Sequence, residues 1–360
     1  MLTIKDIDVP GYERVIEGKD PARGLHCFIA IHNTRLGPSL GGTRMHPYAN
    51  KEAALKDVLL LAKAMTYKSA MAEDGLGGGK SVILADPSKE KNPDLFYAFA
   101  EVVDYLKGAY IAAEDVGTSP KDMAMIHKKT PYVCAMMSAK SSGDPSRFTA
   151  WGVFKGIQAV AMKLWKSTSL RNKTIAIQGL GHVGAKLADL LFWEGANLIV
   201  CDVKTTIAED FMLSCGTRVI NPESFCSVEC DILAPCAMGE VINPQSLPLL
   251  RCKAIAGGAN NQLSDLSMGA QLKDKGILYA PDYIINAGGI INAAAEFEVD
   301  GYDPIFSRDK VDHIYDILLN LFEKAEKENK PTSLAADEIA EYNLYHGIGK
   351  RKQPINFVTK

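Results

Sequence analysis

One short stretch limits the fold more than any other. Thr174-Ile-Ala-Ile-Gln178 is a run of β-branched and apolar residues, and Gly179-Leu-Gly181-His-Val-Gly184 follows it without a break. G-x-G-x-x-G spacing, set between that run and a helical pattern near 183–194, predicts strand, tight turn and helix. Gly179 allows the turn, Gly181 lets backbone approach a pyrophosphate, and Gly184 lets helix and strand pack closely. Phosphates are held by the N–H groups at the helix N-terminus, with Leu180, His182 and Val183 completing the loop. A second strand, Asn197-Leu-Ile-Val-Cys201, leads to Asp202, roughly twenty residues further on. A carboxylate there accepts hydrogen bonds from ribose hydroxyls and repels a 2′-phosphate. The cofactor expected at this turn is therefore NAD rather than NADP.

The same grammar continues on both sides. A helix around 150–165 precedes the first strand, and short apolar runs recur at 231–234, 253–256 and 277–280. Strands alternating with helices predict a parallel sheet covered on both faces. Residues 138–150 are polar, carry Gly143 and Pro145, and read as an inter-domain linker. The fold class is then α/β: an N-terminal α/β domain over 1–137, and a Rossmann-type doubly wound domain over 138–330. In the first domain, 24–32 reads as a strand and 37–42 as a glycine-rich turn. Asn50 is a good N-cap for an amphipathic helix over 51–69, with Leu55, Val58, Ala62 and Met65 on its apolar face. One helix after Ser307 and one from Thr332-Ser333 to about Tyr345 close the chain.

Composition removes several classes of function. The 360 residues carry a formal net charge of −3, which argues against a nucleic-acid partner. No apolar run approaches the ~18 residues of a membrane span. The first ten residues lack a basic segment followed by an apolar one, so a cytoplasmic protein without a signal peptide is expected. The eight cysteines sit mostly in apolar strings, as small buried thiols do. Cys226, Cys230 and Cys236 lack paired zinc spacing, and no metal is expected.

Three further residues point to chemistry. Leu76-Gly-Gly-Gly-Lys80 lets backbone approach a ligand and projects a lysine, but Asp74 stands where a phosphate-binding P-loop needs glycine. Lys68 lies three residues after Met65, on the apolar face of its helix, where a charge is costly without a partner. Asp115 follows the apolar run 109–112, just past a predicted strand end. Two lysines and an acid beside an NAD site predict that one lysine grips a substrate carboxylate. The other, held near it, serves as a general base or polarises a carbonyl, while the aspartate moves protons.

Long ordered motifs carry a family resemblance. They are Gly37-Pro-Ser-Leu-Gly-Gly-Thr-Arg-Met45, Met65-Thr-Tyr-Lys-Ser-Ala70, Leu76-Gly-Gly-Gly-Lys-Ser81, Ala113-Glu-Asp-Val-Gly-Thr118, Gly179 to Gly184, Cys230 to Cys236, Gly258-Ala-Asn-Asn-Gln262 and Pro281 to Gly289. With these the chain resembles the glutamate/leucine/phenylalanine/valine dehydrogenase superfamily over nearly its whole length, and within it the leucine dehydrogenases. The resemblance implies a substrate domain first and an NAD domain second with a cleft between them, and residues 331–360 returning to the first domain. It implies that Lys68 binds the substrate α-carboxylate, that Lys80 is the catalytic lysine activating water, and that Asp115 is its partner in proton transfer. Gly41 and Gly42 would face the substrate beside Met65. Thr149 would hold the nicotinamide carboxamide, and Asn260 and Asn261 would line the join of cofactor and substrate. Glutamate-specific relatives carry a lysine where Leu40 stands, so an aliphatic side chain is expected, walled by Leu40, Ala113, Ile290 and Ala293. The implied reaction is reversible NAD-dependent oxidative deamination of a branched-chain L-amino acid to a 2-oxo acid and ammonia, by a homo-oligomer, typically an octamer. The alternatives are an aromatic amino-acid dehydrogenase and a non-catalytic NAD-binding regulatory protein.

Overall fold

The computed structural model describes every residue except 137, 139, 140, 238 and 358–360. The chain divides into two compact units. Unit 1 holds Met1–Pro145, Ile290–Ser307 and Ala340–Lys360, and unit 2 holds Ser146–Gly289 and Arg308–Ile339.

Unit 1 is built on a six-stranded sheet in the order β1-β2-β3-β5-β4-β6. The strands are β1 (Thr3–Ile7), β2 (Arg14–Asp20), β3 (Leu25–Asn33), β4 (Ser39–His46), β5 (Gly77–Leu84) and β6 (Tyr110–Glu114). β1, β2, β3 and β5 pair antiparallel, while β4 runs parallel to both β5 and β6. Its helices are α1 (Lys51–Ala72), α2 (Pro93–Tyr105) and α3 (Pro120–His127). Side chains alternate across a strand, and β3 uses both faces. Phe28 and Ala30 pack with Ala54, Val58 and Ala62 of α1. Cys27, Ile29 and Ile31 pack with Phe96, Phe99 and Val103 of α2. The helix starts are set by asparagine caps, Asn50 accepting from Ala53 N at 2.8 Å and Asn92 from Leu95 N at 2.9 Å.

Two expectations about the glycines change. The segment 37–42 is not a turn throughout: Ser39 to Gly42 belong to the central strand β4. Glycine is needed because a Cβ on Gly41 would collide with the carbonyl of Gly79 on β5. The glycines before Lys80 likewise serve packing within the protein. A Cβ on Gly78 would strike the backbone and hydroxyl of Thr66, so α1 lies almost directly on β5. That close approach also shifts the buried stripe of α1 to Ala54, Val58, Ala62, Thr66 and Ser69, leaving Met65 and Lys68 half-buried on its flank.

Unit 2 carries a six-stranded parallel sheet in the order β12-β11-β10-β7-β8-β9. The strands are β7 (Thr174–Gln178), β8 (Asn197–Cys201), β9 (Arg218–Val219), β10 (Ile232–Pro235), β11 (Ala254–Ile255) and β12 (Leu278–Tyr279). The order reverses between β7 and β10, the switch point at whose strand ends such sheets bind ligands. The helices of the rest of the chain are α4 (Ser146–Trp165), α5 (His182–Trp193), α6 (Thr205–Cys215), α7 (Ser267–Asp274), α8 (Asp282–Ile285), α9 (Gly288–Ala294), α10 (Pro304–Asp312), α11 (Ile314–Lys327) and α12 (Thr332–His346), of which α9, α10 and α12 are each shared between the two units. The single helix expected after Ser307 is thus two, α10 and α11.

The unit boundaries differ from those read in the sequence, at 137/138 and 330/331, for identifiable reasons. Residues 146–150 of the expected linker are already helical in α4, while 139 and 140 lie outside the described residues. Residues 290–307 join unit 1 because Glu296 accepts hydrogen bonds from Ala135 N and Ser142 N, each 2.8 Å, and Asn292 donates to Ser142 O at 3.2 Å. The return to unit 1 comes part-way along α12. Thr332 and Asp337 are tied to Tyr279 O and the Tyr283 hydroxyl in unit 2, whereas Glu341 and Asn343 meet the Tyr67 hydroxyl and Ala70 O in unit 1.

Candidate active site

In unit 1 the parallel trio β5-β4-β6 positions the reactive side chains. Gly42 on β4 lies beside Ala113 on β6, and Leu40 beside Gly78 on β5. Tyr110, fully buried, locks the three strands together: its hydroxyl lies 2.7 Å from Gly41 O and 2.9 Å from Ser81 Oγ, and Ser81 in turn donates to Thr43 Oγ1 at 3.0 Å. Lys80 projects from β5, and Asp115 follows the end of β6. Lys80 Nζ lies 2.6 Å from Asp115 Oδ2, with the two side chains 7% and 20% exposed. Gly42 sits beneath the pair, since a Cβ there would fall 2.8 Å from Asp115 Cβ and 3.0 Å from Lys80 Nζ. A side chain on that residue and the ion pair exclude one another.

The loop carrying Asp115 is held by its own backbone. Asp115 N donates to Thr118 Oγ1 at 2.9 Å, Thr118 Oγ1 donates to Thr43 O at 2.8 Å, and Met45 N donates to Val116 O at 2.9 Å. Burial acts to raise the Asp115 pKa, but the charges of Lys80 and Arg44 outweigh it and hold the carboxyl below its ordinary 3.8. Its neighbour Glu114 goes the other way. Burial, reinforced by repulsion from Asp144, Asp115 and Asp122, pushes it up to about 7.

Of the other residues expected around the amino acid, all but Asn261, which belongs to unit 2, fall in the same unit. Lys68 is half-buried on α1, two residues beyond the Thr66 contact with β5. Leu40 is buried, Met65 and Ala113 half-buried, and Ile290 and Ala293 on α9 buried. Arg44, Asp57 and Tyr48 escaped the sequence reading. Arg44 donates to Asp115 and Asp57, and Tyr48 to Asp57. The signal was available, because Arg44 lies two residues beyond Gly42 and so on the same face of β4.

Unit 2 holds the expected cofactor residues. Gly179 has φ +86°, the left-handed turn that glycine allows. A Cβ on Gly184 would collide with Gly179 O, so helix–strand contact explains that glycine. Gly181 differs: a Cβ there would meet no protein atom within 4 Å. Protein packing does not demand that glycine, which agrees with the role expected of it in close backbone approach to a pyrophosphate. Gly181 N-caps α5 without a side-chain hydrogen bond, at the kind of helix N-terminus where phosphates bind. His182 is exposed, Val183 half-buried and Leu180 buried. Asp202 accepts from Leu180 N at 2.7 Å through Oδ2 and from Lys204 N at 2.8 Å through Oδ1. Each oxygen keeps a lone pair for a sugar hydroxyl. Thr149 is half-buried on α4, Asn260 accepts from Asn286 Nδ2 at 2.7 Å, and Asn261 is exposed with φ +51°. The residues fit a dinucleotide.

Comparison with known proteins places the chain in a family. The family model for the Glu/Leu/Phe/Val dehydrogenase dimerisation domain matches residues 12–132, and that for glutamate/leucine/phenylalanine/valine dehydrogenase matches residues 202–344. The leucine dehydrogenase of Bacillus subtilis (strain 168) is 47% identical over 354 residues, covering 98% of this chain and 97% of that protein. The chain belongs to the glutamate/leucine/phenylalanine/valine dehydrogenase family. It is thus an amino-acid dehydrogenase, and its hydride acceptor is a nicotinamide cofactor. The leucine dehydrogenase of Thermoactinomyces intermedius is 46% identical over 334 residues, 92% of this chain and 91% of that one. The crystal structure of L-tryptophan dehydrogenase from Nostoc punctiforme superposes with a TM-score of 0.82 at 40% identity, covering 94% of this chain and 97% of that chain. Among the described residues no helix is long and apolar enough to cross a membrane.

Proposed function

We propose that the chain catalyses the reversible NAD-dependent oxidative deamination of a branched-chain L-amino acid. In balance, the amino acid, NAD⁺ and water give a 2-oxo acid, ammonium, NADH and a proton. The observation that carries the reading is the Lys80–Asp115 pair at 2.6 Å, set over a glycine and next to the apolar Leu40. In this reading unit 1 binds the amino acid and unit 2 the dinucleotide.

Bound NAD⁺ supplies the hydride acceptor that turns the amine into an imine. Lys68 grips the α-carboxylate as a fixed cation. Lys80, within hydrogen-bond reach of Asp115, passes a proton to it and takes one from the attacking water. Asp115 returns its proton to the nitrogen of the adduct; the C–N bond then breaks as the adduct's hydroxyl becomes the 2-oxo group, its proton leaving with the ammonia as ammonium, and the pair ends as it began. Because the carboxylate rests near a fixed cation, charge developing on the tetrahedral adduct meets a preorganised field.

Leu40 supports the aliphatic choice. A second substrate carboxylate against this buried side chain has no partner, at a cost of several kcal/mol. Ile290 and Ala293 complete the apolar wall with Ala113. Asp202 favours NAD, since a 2′-phosphate would face its carboxylate. Five of the eight cysteines are buried small side chains, which suits a reducing, cytoplasmic setting. The dimerisation-domain match supports a homo-oligomer, for which an octamer is the expected size.

A substrate panel tests the reading. Purified protein with NAD⁺ should form NADH with leucine, isoleucine and valine at kcat/KM above that for phenylalanine. A preference for phenylalanine would make it an aromatic amino-acid dehydrogenase. NAD⁺ binding without turnover of any of these amino acids would reject the reading.

A further inference from the structure

Asp115 Oδ2 is approached by two cations. Lys80 Nζ is 2.6 Å away, and Arg44 Nε donates to the same oxygen at 3.2 Å. The two differ in one chemical respect. In the proposed reaction Lys80 gives its proton to Asp115, so the donor and acceptor of that hydrogen bond change places in every turnover and Lys80 loses its charge. A guanidinium does not lose its proton in proteins. Arg44 is itself anchored: Nη1 donates to Asp57 Oδ2 at 3.0 Å, and the Tyr48 hydroxyl donates to that same Asp57 oxygen at 2.6 Å. The chain Tyr48–Asp57–Arg44–Asp115 therefore joins the first half of α1 and the strand β4 to the loop after β6. Backbone hydrogen bonds hold that loop, and the Val116 N–H also reaches the Asp115 carboxyl, but Arg44 is the side chain that meets Oδ2 from the side of β4.

We propose that Arg44, braced by Asp57, is a positioning residue that keeps the Asp115 carboxylate aimed at Lys80 while the lysine proton moves. The inference rests on the proposed deamination reaction, in which Lys80 and Asp115 exchange a proton. The charged groups facing Asp115 are Lys80 from β5, Arg44 from β4 and Glu114 from the end of β6, with Asp57 of α1 behind Arg44. Arg44 is one of two cations that lower the carboxyl's pKa, and its removal moves the ionisation to higher pH.

The test uses the full-length enzyme with L-leucine and NAD⁺, comparing wild type, Arg44→Gln, Arg44→Lys and Asp57→Asn. Arg44→Gln should lower kcat about 10–100-fold, as a misplaced catalytic group does. The acidic limb of its kcat/KM profile should move to higher pH. KM for leucine and the Kd for NAD⁺ should stay within about threefold of wild type, since Lys68 and unit 2 are untouched. Arg44→Lys restores the charge but not the two-pronged donor geometry, so its limb should return to the wild-type pH while kcat stays low. Asp57→Asn should lower kcat with little movement of the limb. An Arg44→Gln enzyme with wild-type kcat and pH profile overturns the proposal, as does a loss confined to KM. If Arg44→Gln does not fold, Arg44→Lys decides: full kcat in that variant overturns the proposal. A wild-type enzyme that fails to oxidise leucine would instead sink the proposed function, so the two failures are distinct.

Discussion

Alanine at residue 42 is the smallest change that should disable the site. Gly42 lies in the regular strand β4 and not in the left-handed region, so alanine meets no backbone obstacle there. Space is the obstacle. The new methyl would lie 2.8 Å from Asp115 Cβ, 2.9 Å from Glu114 O and 3.0 Å from Lys80 Nζ. Carbon atoms prefer about 3.5–4.0 Å, so each contact is short by roughly 0.5–1 Å. Glu114 O and Asp115 Cβ belong to the backbone or are fixed to it, whereas Lys80 Nζ ends a flexible chain. The cheapest relaxation swings Nζ away and edges the end of β6 outward, which breaks the 2.6 Å ion pair. Overpacking of this kind costs about 1–3 kcal/mol of stability. A displacement of about 1 Å at the reacting groups costs on the order of 100-fold in rate. Steady-state NADH formation with L-leucine, alongside a denaturant midpoint and NAD⁺ titration, separates the two effects. The expected result is a folded, NAD-binding enzyme with kcat down about 100-fold. A Gly42→Ala enzyme that turns over within about twofold of wild type would refute the argument that this glycine makes room for the pair.

Other residues give independent checks. Glu114 ionises near 4.5 when unfolded and near 7 when folded, so stability falls as pH rises between those values; Glu114→Gln should add about 1–2 kcal/mol at pH 8 and nothing at pH 4, allowing for partial exposure. Equal urea midpoints for Glu114→Gln and wild type at pH 8 would contradict it. Asp202→Ala removes the acceptor for Leu180 N and Lys204 N and should raise the NAD⁺ Kd about 10-fold while narrowing the preference over NADP⁺, read by calorimetry. An unchanged ratio of the two affinities would remove Asp202 from cofactor choice. The glycines should divide by cause: Gly78→Ala strikes Thr66 and should cost about 2–4 kcal/mol, whereas Gly181→Ala should leave stability within about 0.5 kcal/mol and weaken NAD⁺ binding.

Much of unit 2 was legible because its signals are local. A strand, three glycines and the start of a helix occupy eleven consecutive residues, 174–184, and β7 and β8 fall on the residues expected. Unit 1 was harder to read, since its glycines answer to neighbours distant in sequence. Gly41 is required by Gly79 and Gly78 by Thr66, contacts that no local pattern shows, so residues 37–42 read as a turn and 76–80 as a ligand loop until the sheet is assembled. Lys80 and Asp115 could be picked out singly, but their meeting depends on the parallel register of β5, β4 and β6. Arg44 was visible as a residue and not as a partner, because its role rests on Asp57 thirteen residues on and Asp115 seventy-one residues on. The division of α12 between units was equally hidden, as the Tyr279 and Ala70 contacts that divide it come from distant segments.

The most direct measurement compares wild type with Lys80→Ala and Asp115→Asn in the NAD⁺-dependent oxidation of L-leucine, with ammonia and NADH counted together. Wild type should release the two in equal amounts, and each variant should bind NAD⁺ normally while losing on the order of 10³-fold or more in kcat. Either variant turning over at the wild-type rate would contradict the assignment of proton transfer to this ion pair.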